Sequence, residues 1–377
     1  MNWTHIYIDE NMPGERYGTG DIGLADFDGD GRMDVATTRR SPQAAYWYRQ
    51  ESDGGWTRHV IGTSAHLEYC LGAMAIDVDG DGFTDYVCNK VWFKNPGCLR
   101  DNPDAPWQAF EYPGQGHDII ACDVNGDGRP DILTYDGHTL AWYDCADKLK
   151  EHIICTGRDD HGGVAPHGVG DITGNGYPDI VLIGQWYENP GPGGGEWKAH
   201  DWPHLGVDRA SYGPSIRSWL ADMDGNGELD IVYTDCDTGW CHAYIVKNLG
   251  RGQAWERIQL PDPPGNPETG SFHSLIVADF DGDGKLEIFT GEQEDPDRQW
   301  MLERGLRPMK PEGLQERGIL YKLQDGQYVP NVIHEGRPGW HDAVAGDVRG
   351  TGRLDIVSKV WNADGPNYHV DLWRNEP

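Results

Sequence analysis

The sequence predicts an all-β protein: a seven-bladed β-propeller of four-stranded antiparallel blades. Three observations predict it. First, one nine-residue acidic pattern occurs seven times: DFDGDGRMD (26–34), DVDGDGFTD (77–85), DVNGDGRPD (123–131), DITGNGYPD (171–179), DMDGNGELD (222–230), DFDGDGKLE (279–287) and DVRGTGRLD (347–355). The copies stand roughly fifty residues apart, the period of a propeller or solenoid. Second, each copy lies between strand-like runs. Third, the run that should close the last blade is missing from the C-terminus and present at the N-terminus, as WTHIYID at 3–9. The N-terminal strand is therefore expected to complete the last blade, which leaves few exposed sheet edges.

The four strands of a repeat read in order. An inner run precedes the acidic pattern, as in HDIIAC, HSLIVA and HDAVAG. A second follows it, as in DVATT, DILTY and DIVLIG. A third carries an aromatic residue and often Asn: YWYRQ, VWFKNPG, QWYENPG, VDLWRN. A fourth leads to the next copy, as in WTRHVIG and EHIICTG. The chain is expected to be one body over 1–377, with inserts at 191–215 and 294–318. The recurring Trp47, Trp92, Trp142, Trp186 and Trp373 are expected to pack within or between blades. His5, His59, His152 and His334, on outer strands, are expected at the surface.

Composition narrows the function. Acids number 62 against 31 bases, a formal charge of -31. A nucleic-acid binder needs a basic surface to replace phosphate counterions, so no nucleic acid is expected. Sixteen Trp are too many for a disordered acidic chain. No apolar run approaches the ~18 residues of a membrane span, so no membrane partner is expected, and the protein should be a monomer. The first twenty residues have no basic n-region and no apolar h-region, so no signal peptide is expected there. The eight cysteines show no zinc spacing; most read as buried small hydrophobes, and Cys236 and Cys241 flank a turn where they could pair.

The acidic pattern places oxygens at alternate positions around a Gly turn, with a last acid at position nine. Hard oxygen donors so arranged suit Ca²⁺. Strands flank the loop and no Glu stands at position twelve, so it is not an EF-hand. Five loops keep donors at positions one, three, five and nine, which gives about five structural Ca²⁺ sites: Asp26, Asp28, Asp30, Asp34; Asp77, Asp79, Asp81, Asp85; Asp123, Asn125, Asp127, Asp131; Asp222, Asp224, Asn226, Asp230; and Asp279, Asp281, Asp283, Glu287. Loop four, with Thr173 and Asn175, should bind weakly. Loop seven has Arg349 and Thr351 and should hold no metal, with Arg349 supplying positive charge instead.

If the acidic turns mark one rim, the starts of the inner strands meet on the other. His117, His273 and His341 each stand six residues before a loop's first Asp, and His167 stands four before. Even offsets share one strand side, so four imidazoles are expected at the channel mouth, lining a pocket or holding a further metal. Leu24, Ala75, Ala121, Val169, Leu220, Val277 and Ala345 lie deeper on that side and are expected to plug the bottom. The ends of the second strands add Arg39, Lys90, Gln185 and Lys359 as candidate substrate contacts. Trp361 and Trp240 lie off the packing register and are candidate stacking platforms for a sugar ring.

The DxDGDGxxD loop followed by an apolar strand resembles FG-GAP/VCBS repeats over essentially the whole chain. Within that class the His-rich face is similar to seven-bladed polysaccharide lyases of the ulvan lyase and rhamnose–glucuronate lyase kind. The resemblance implies a catalytic pair from His117 and His138, with a Tyr (Tyr212 or Tyr187) and an Arg (Arg217 or Arg209) from following blades. The chain also resembles the propeller of fungal aldos-2-ulose dehydratase. The function expected is β-elimination on a uronic-acid-containing glycan. A His would move the proton, as a group titrating near neutrality can, and an Arg would neutralise the carboxylate. The partner would be an acidic polysaccharide or oligosaccharide. A metal-assisted sugar dehydratase or isomerase, and a non-catalytic carbohydrate- or protein-binding propeller, are the alternatives.

Overall fold

The computed structural model describes residues 1–15, 17–204, 212–265, 268–295, 297–362 and 367–377. Seven small antiparallel sheets form the propeller. Blade one consists of Gly23–Ala25, Asp34–Arg39, Ala44–Gln50 and Trp56–Thr63, paired in that order. Blades two to six repeat the pattern from Ala73–Ile76, Asp118–Cys122, Val169–Gly170, Ile216–Ala221 and Phe272–Ala278 outward. Blade seven joins Asp342–Gly346, Asp355–Lys359 and Val370–Glu376 to the N-terminal strand Asn2–Asp9, with Thr4 opposite Arg374. The expected closure is therefore present. One addition was not expected: Pro166–His167 runs parallel to the inner strand of blade five.

The acidic nonapeptide is a self-supporting turn. At position one, the Asp77 carboxylate accepts N–H bonds from Gly80, Asp81 and Gly82 at 2.8, 3.2 and 2.9 Å. Asp123, Asp222 and Asp279 repeat this set. The glycines at positions four and six take positive φ, +72° and +88° in loop two, where a side chain is disfavoured. The position-nine acid is buried, and its oxygens tie strands together. Asp85 accepts from Val78 N (3.1 Å), Asn95 N (2.7 Å) and Trp92 Nε1 (2.8 Å). Asp34, Asp131, Asp179 and Asp230 likewise hold position two and the third strand.

Neighbouring blades are linked from the same spot. The Asn95 amide donates to Phe27 O of the preceding blade, Asn189 to Val124 O, Asn375 to Phe280 O, and Gln50 to Val348 O across the closure.

This changes the roles expected of the acidic side chains. Positions one and nine already serve the backbone. In four loops, positions three or five face a third-strand base: Arg49 to Asp28, Lys94 to Asp79 and Asp81, Lys247 to Asp224, and Lys322 to Asp281 and Asp283. Carboxylates of those four loops still lie within 4.8 Å of one another, so the oxygen set fits a hard cation that displaces the basic tip. Loop three has Asp144 rather than a base at the equivalent third-strand position. In loop seven Arg349 does reach its acid, with Nη2 3.0 Å from Asp355.

The repeated tryptophans pack as expected, but against the outer histidines. Trp47, Trp142, Trp186 and Trp373 lie 5.0, 4.1, 4.2 and 4.5 Å from His59, His152, His200 and His5. Those imidazoles are packing partners of the third strand rather than plain surface groups. Cys236 and Cys241 are free thiols; one contacts Ser215 Oγ and the other donates to Thr238 O. Among the described residues no helix is long and apolar enough to cross a membrane.

Asp85→Ala strands three donors in the interior, each costing about 1–3 kcal/mol when left unmade. Urea denaturation should show a loss of several kcal/mol for this variant. Asp79→Ala, which removes an exposed ion pair, should stay within about 1 kcal/mol of the parent.

Candidate functional site

Inner strands converge on the axis opposite the acidic turns, and connecting loops complete the rim. His117, His161, Tyr212, Asp237, His273, Glu294, Asp297, His341 and Trp361, with Tyr17 and Arg40, line a cavity of about 200 Å³. A second cavity of about 460 Å³ adjoins it, lined by His66, Tyr69, Asn89, Lys90, Gln115 and Asp136. Leu71, His117 and His161 border both. His117 thus stands in the wall that the two cavities share.

His117 is oriented by its neighbour. Asp118 Oδ2 accepts the N–H groups of Gly163, Val164 and Ala165 at 2.7, 2.8 and 3.1 Å. Its Oδ1 lies 2.8 Å from His117 Nδ1. Against the opposing effect of burial, the His117 hydrogen bond, Arg217 and these donors hold the Asp118 carboxyl well below its usual range. An ionised Asp118 needs Nδ1 to carry the proton, so Nε2 keeps its lone pair toward the cavity. His161 packs 4.3 Å from His117, and Tyr212 stacks on His161 at 5.1 Å. Burial, then His117, pushes His161 down to about 4, so it is neutral at ordinary pH. Tyr212 Oη donates to Asp297 at 3.1 Å; burial and Asp297 raise its phenol well above the ordinary value, which keeps its proton in place.

Asp237 closes the other side. Ligand atoms of His117, His161 and Asp237 lie within 4.8 Å of one another. Asp237 is 5% exposed, and its Oδ2 has no hydrogen-bond partner. Burial works against its ionisation, but His273, His161 and His117 hold its carboxyl below the usual range. Among the described residues no Lys or Arg pairs with it. Two imidazoles and an orphaned carboxylate oxygen are a suitable donor set for a divalent transition ion.

Two further imidazoles of the cavity cap a polar layer beneath. His273 and His341 stack at 3.9 Å, and Trp361 covers His341 at 4.8 Å. Arg217 donates from Nε to His273 O at 2.9 Å and stands 3.7 Å from Asp118. Lys359 reaches His341 Nδ1 at 3.2 Å and Asp21 at 3.7 Å. Burial, reinforced by Asp342, pushes Asp21 up to about 7. Further down, Leu24, Ala75, Ala121 and Ala345 border a cavity of about 350 Å³. Val169, Leu220 and Val277 turn into inter-blade cores instead. The bottom is therefore hollow rather than plugged.

Several expected contacts fall elsewhere. His138 is exposed on the turn 136–139, its Nδ1 3.0 Å from Arg158 O, and it borders neither part of the groove. His167 is exposed on the short strand that runs parallel to blade five's inner strand, opposite Trp219, and contacts that ring. Tyr187 is buried in the core beside Arg158 and Gln185, and Gln185 accepts from Arg158. Arg39 is fully buried over Tyr368 at 3.5 Å. Arg217 and Lys359 are locked in the layer below. Arg209 lies outside the described residues. His117, His273, His341, Tyr212, Lys90 and Trp361 do line the groove. Sequence reasoning missed His161 and Asp237. His161 sits in a loop with no periodic register; Asp237 follows a second strand, as Arg40 does, and that position was the available signal.

Residues 16–88 and 222–290 match the FG-GAP-like repeat family. The chain carries FG-GAP-like repeats. No curated protein sequence matches it. Among solved structures it is similar to AofleA from Arthrobotrys oligospora, at 10% identity and TM-score 0.44, over 99% of this chain and 87% of that one. It is also similar to Trypanosoma rangeli sialidase, at 13% identity and TM-score 0.41, over 99% and 58%. The V. cholerae biofilm matrix protein Bap1 matches at 11% identity and TM-score 0.31, over 97% and 70%.

The charged layer makes a pH prediction. Asp21 titrates near 7 in the fold against an ordinary 3.8. The folded state therefore binds its proton more tightly. The stability this supplies is complete below about pH 4 and is lost as pH rises through about 7. Asp21→Asn should flatten this slope, read as denaturation midpoints at about pH 5 and about pH 8.

Proposed function

We propose that the protein is a polysaccharide lyase that cleaves a uronic-acid-containing glycan by β-elimination in the axial groove. The observation that carries this reading is the Asp118–His117 pair at the junction of the two cavities, with Tyr212 in the same pocket. Adjoining cavities on both sides of the base suit a polymer. His117 Nε2 would take the proton at C5, and Asp118 would stabilise the imidazolium that forms. Tyr212 would give its proton to the departing O4, and the C4–O4 bond breaks as the C4–C5 double bond forms. Arg40, whose guanidinium lies 4.4 Å over Trp361 in this cavity, takes the carboxylate-neutralising role once assigned to Arg217, which is occupied below. Trp361, stacked between His341 and Arg40, would hold that guanidinium in place. At the acidic turns Ca²⁺ is the structural ion proposed, held by the converging carboxylates.

A second reading has its own observation, the orphaned Asp237 oxygen facing His117 and His161. A transition ion there would polarise a carbonyl or carboxylate oxygen of a sugar, and the activity would be a metal-assisted dehydratase or isomerase. In that case His117 is a ligand and not a base.

Turnover is read from the ultraviolet absorbance of the unsaturated uronate on ulvan, gum arabic, pectin-type and glucuronan substrates. His117→Ala and Tyr212→Phe should each lose about 10²-fold or more in kcat, and Arg40→Met should also lower kcat, since it removes charge stabilisation that grows toward the transition state. Chelation should leave the rate within about twofold. No product on any of these substrates would sink the lyase reading, whereas strict dependence on a transition metal with monosaccharides preferred would establish the second.

A further inference from the structure

Two tryptophans on the upper rim carry guanidinium groups on their faces, and the chemistry above uses neither. Arg307 lies 4.5 Å over Trp240, and Arg304 lies 4.5 Å over Trp300. Each ring stands three residues from a cavity side chain. Trp240 follows Asp237, and Trp300 follows Asp297 on the short helix Arg298–Glu303. Three residues span at most ~10 Å of chain, so the backbone of each tryptophan lies within that distance of a residue lining the groove. Met301 anchors the helix in the interior, while Trp300 stays 41% exposed.

The backbone that presents Trp240 is strained. Asp237 and Trp240 take φ of +57° and +60°, a region that bulky residues rarely enter and that costs about 1–2 kcal/mol. The insert and the segment before blade six hold the turn there: Gly239 N donates to Pro308 O at 2.9 Å, and Trp240 N donates to Thr269 O at 2.7 Å. A Cβ on Gly239 would come 2.9 Å from Pro308 O. One strained turn thus places Asp237 in the cavity and Trp240 on its rim, the kind of outlier that accompanies binding sites.

Charge narrows the ligand. Acids outnumber bases 62 to 31, yet among the described residues neither Arg304 nor Arg40 pairs with a carboxylate. Arg304 donates to Trp300 O at 3.2 Å and otherwise stacks. A guanidinium without an acid partner, set on an aromatic face, complements a ligand that has both an anionic group and a flat apolar surface. We propose that the Trp300–Arg304 pair, with the neighbouring Trp240 ring, forms outer subsites for an acidic oligosaccharide, binding sugar units beyond the one in the cavity through ring stacking and, at Arg304, a uronate or sulfate ester. The proposal rests on the glycan reading of the groove and not on its turnover.

Binding is measured by calorimetry on the His117→Ala protein, so that ligand is not consumed. The probes are a glucuronate disaccharide and hexasaccharide, a dextran sulfate oligosaccharide and a neutral cello-oligosaccharide. Trp240→Ala, Trp300→Ala and Arg304→Glu should each weaken the hexasaccharide by about tenfold or more, leaving the disaccharide within about twofold. The neutral chain should bind far more weakly throughout. Equal losses on dextran sulfate support recognition of either anion, and losses on the glucuronate alone support a uronate. Unchanged hexasaccharide affinity in Trp300→Ala and Arg304→Glu, both exposed changes that leave the fold intact, overturns the proposal, as does equal binding of the neutral chain. If these variants lose binding but the parent shows no turnover, only the β-elimination reading fails.

Discussion

The structure depends on a buried carboxylate at the end of each acidic turn. Fully buried Asp34, Asp85, Asp131, Asp179 and Asp230 each accept backbone N–H groups from the turn and from the third strand. In an interior where an unmade hydrogen bond costs more than a made one returns, these contacts fix where the first three strands of a blade stand. The adjacent Asn or Gln then extends the same knot to the carbonyl of the previous blade. Local turn geometry and ring closure are thus set by one group of atoms, repeated around the axis.

That arrangement explains why the opposite rim is free for chemistry. The acidic turns need polar side chains for their own support and keep them. At the other end, inner strands begin at the axis and deliver His117, His273 and His341 from different blades to one place. Packing then divides them. His273 and His341 stack on each other above Arg217 and Lys359 and form the floor of the groove. His117 remains at the groove, its tautomer set by Asp118, and Asp118 is itself held by three backbone donors of the 163–165 loop.

Much of this was legible in the chain. Seven spaced nonapeptides fixed the number of blades, and the displaced WTHIYID run located the closing strand. The offset of six residues brought three histidines to one mouth. The same register also separates His167, which is two residues off and lies on the short parallel strand instead. What the pattern could not convey was competition for each side chain. Asp34 and its counterparts read as metal donors by spacing, and the structure adds that the same carboxylates tie the turn to the third strand. Arg217 read as a free guanidinium, but its partners His273 and Asp118 come from two other blades.

The sequence by itself determined the repeat, the blade count, the closure and the axial position of the imidazoles, because each follows from local spacing and strand alternation. Only the tertiary structure decided that His161, Asp237, Tyr212 and Asp297 join His117, while His138, Tyr187 and Arg39 do not. The four that join lie on loops and inserts, where no periodicity governs direction, and Tyr187 and Arg39 are taken up by packing within their strands. Their placement is set by contacts among segments far apart in the chain.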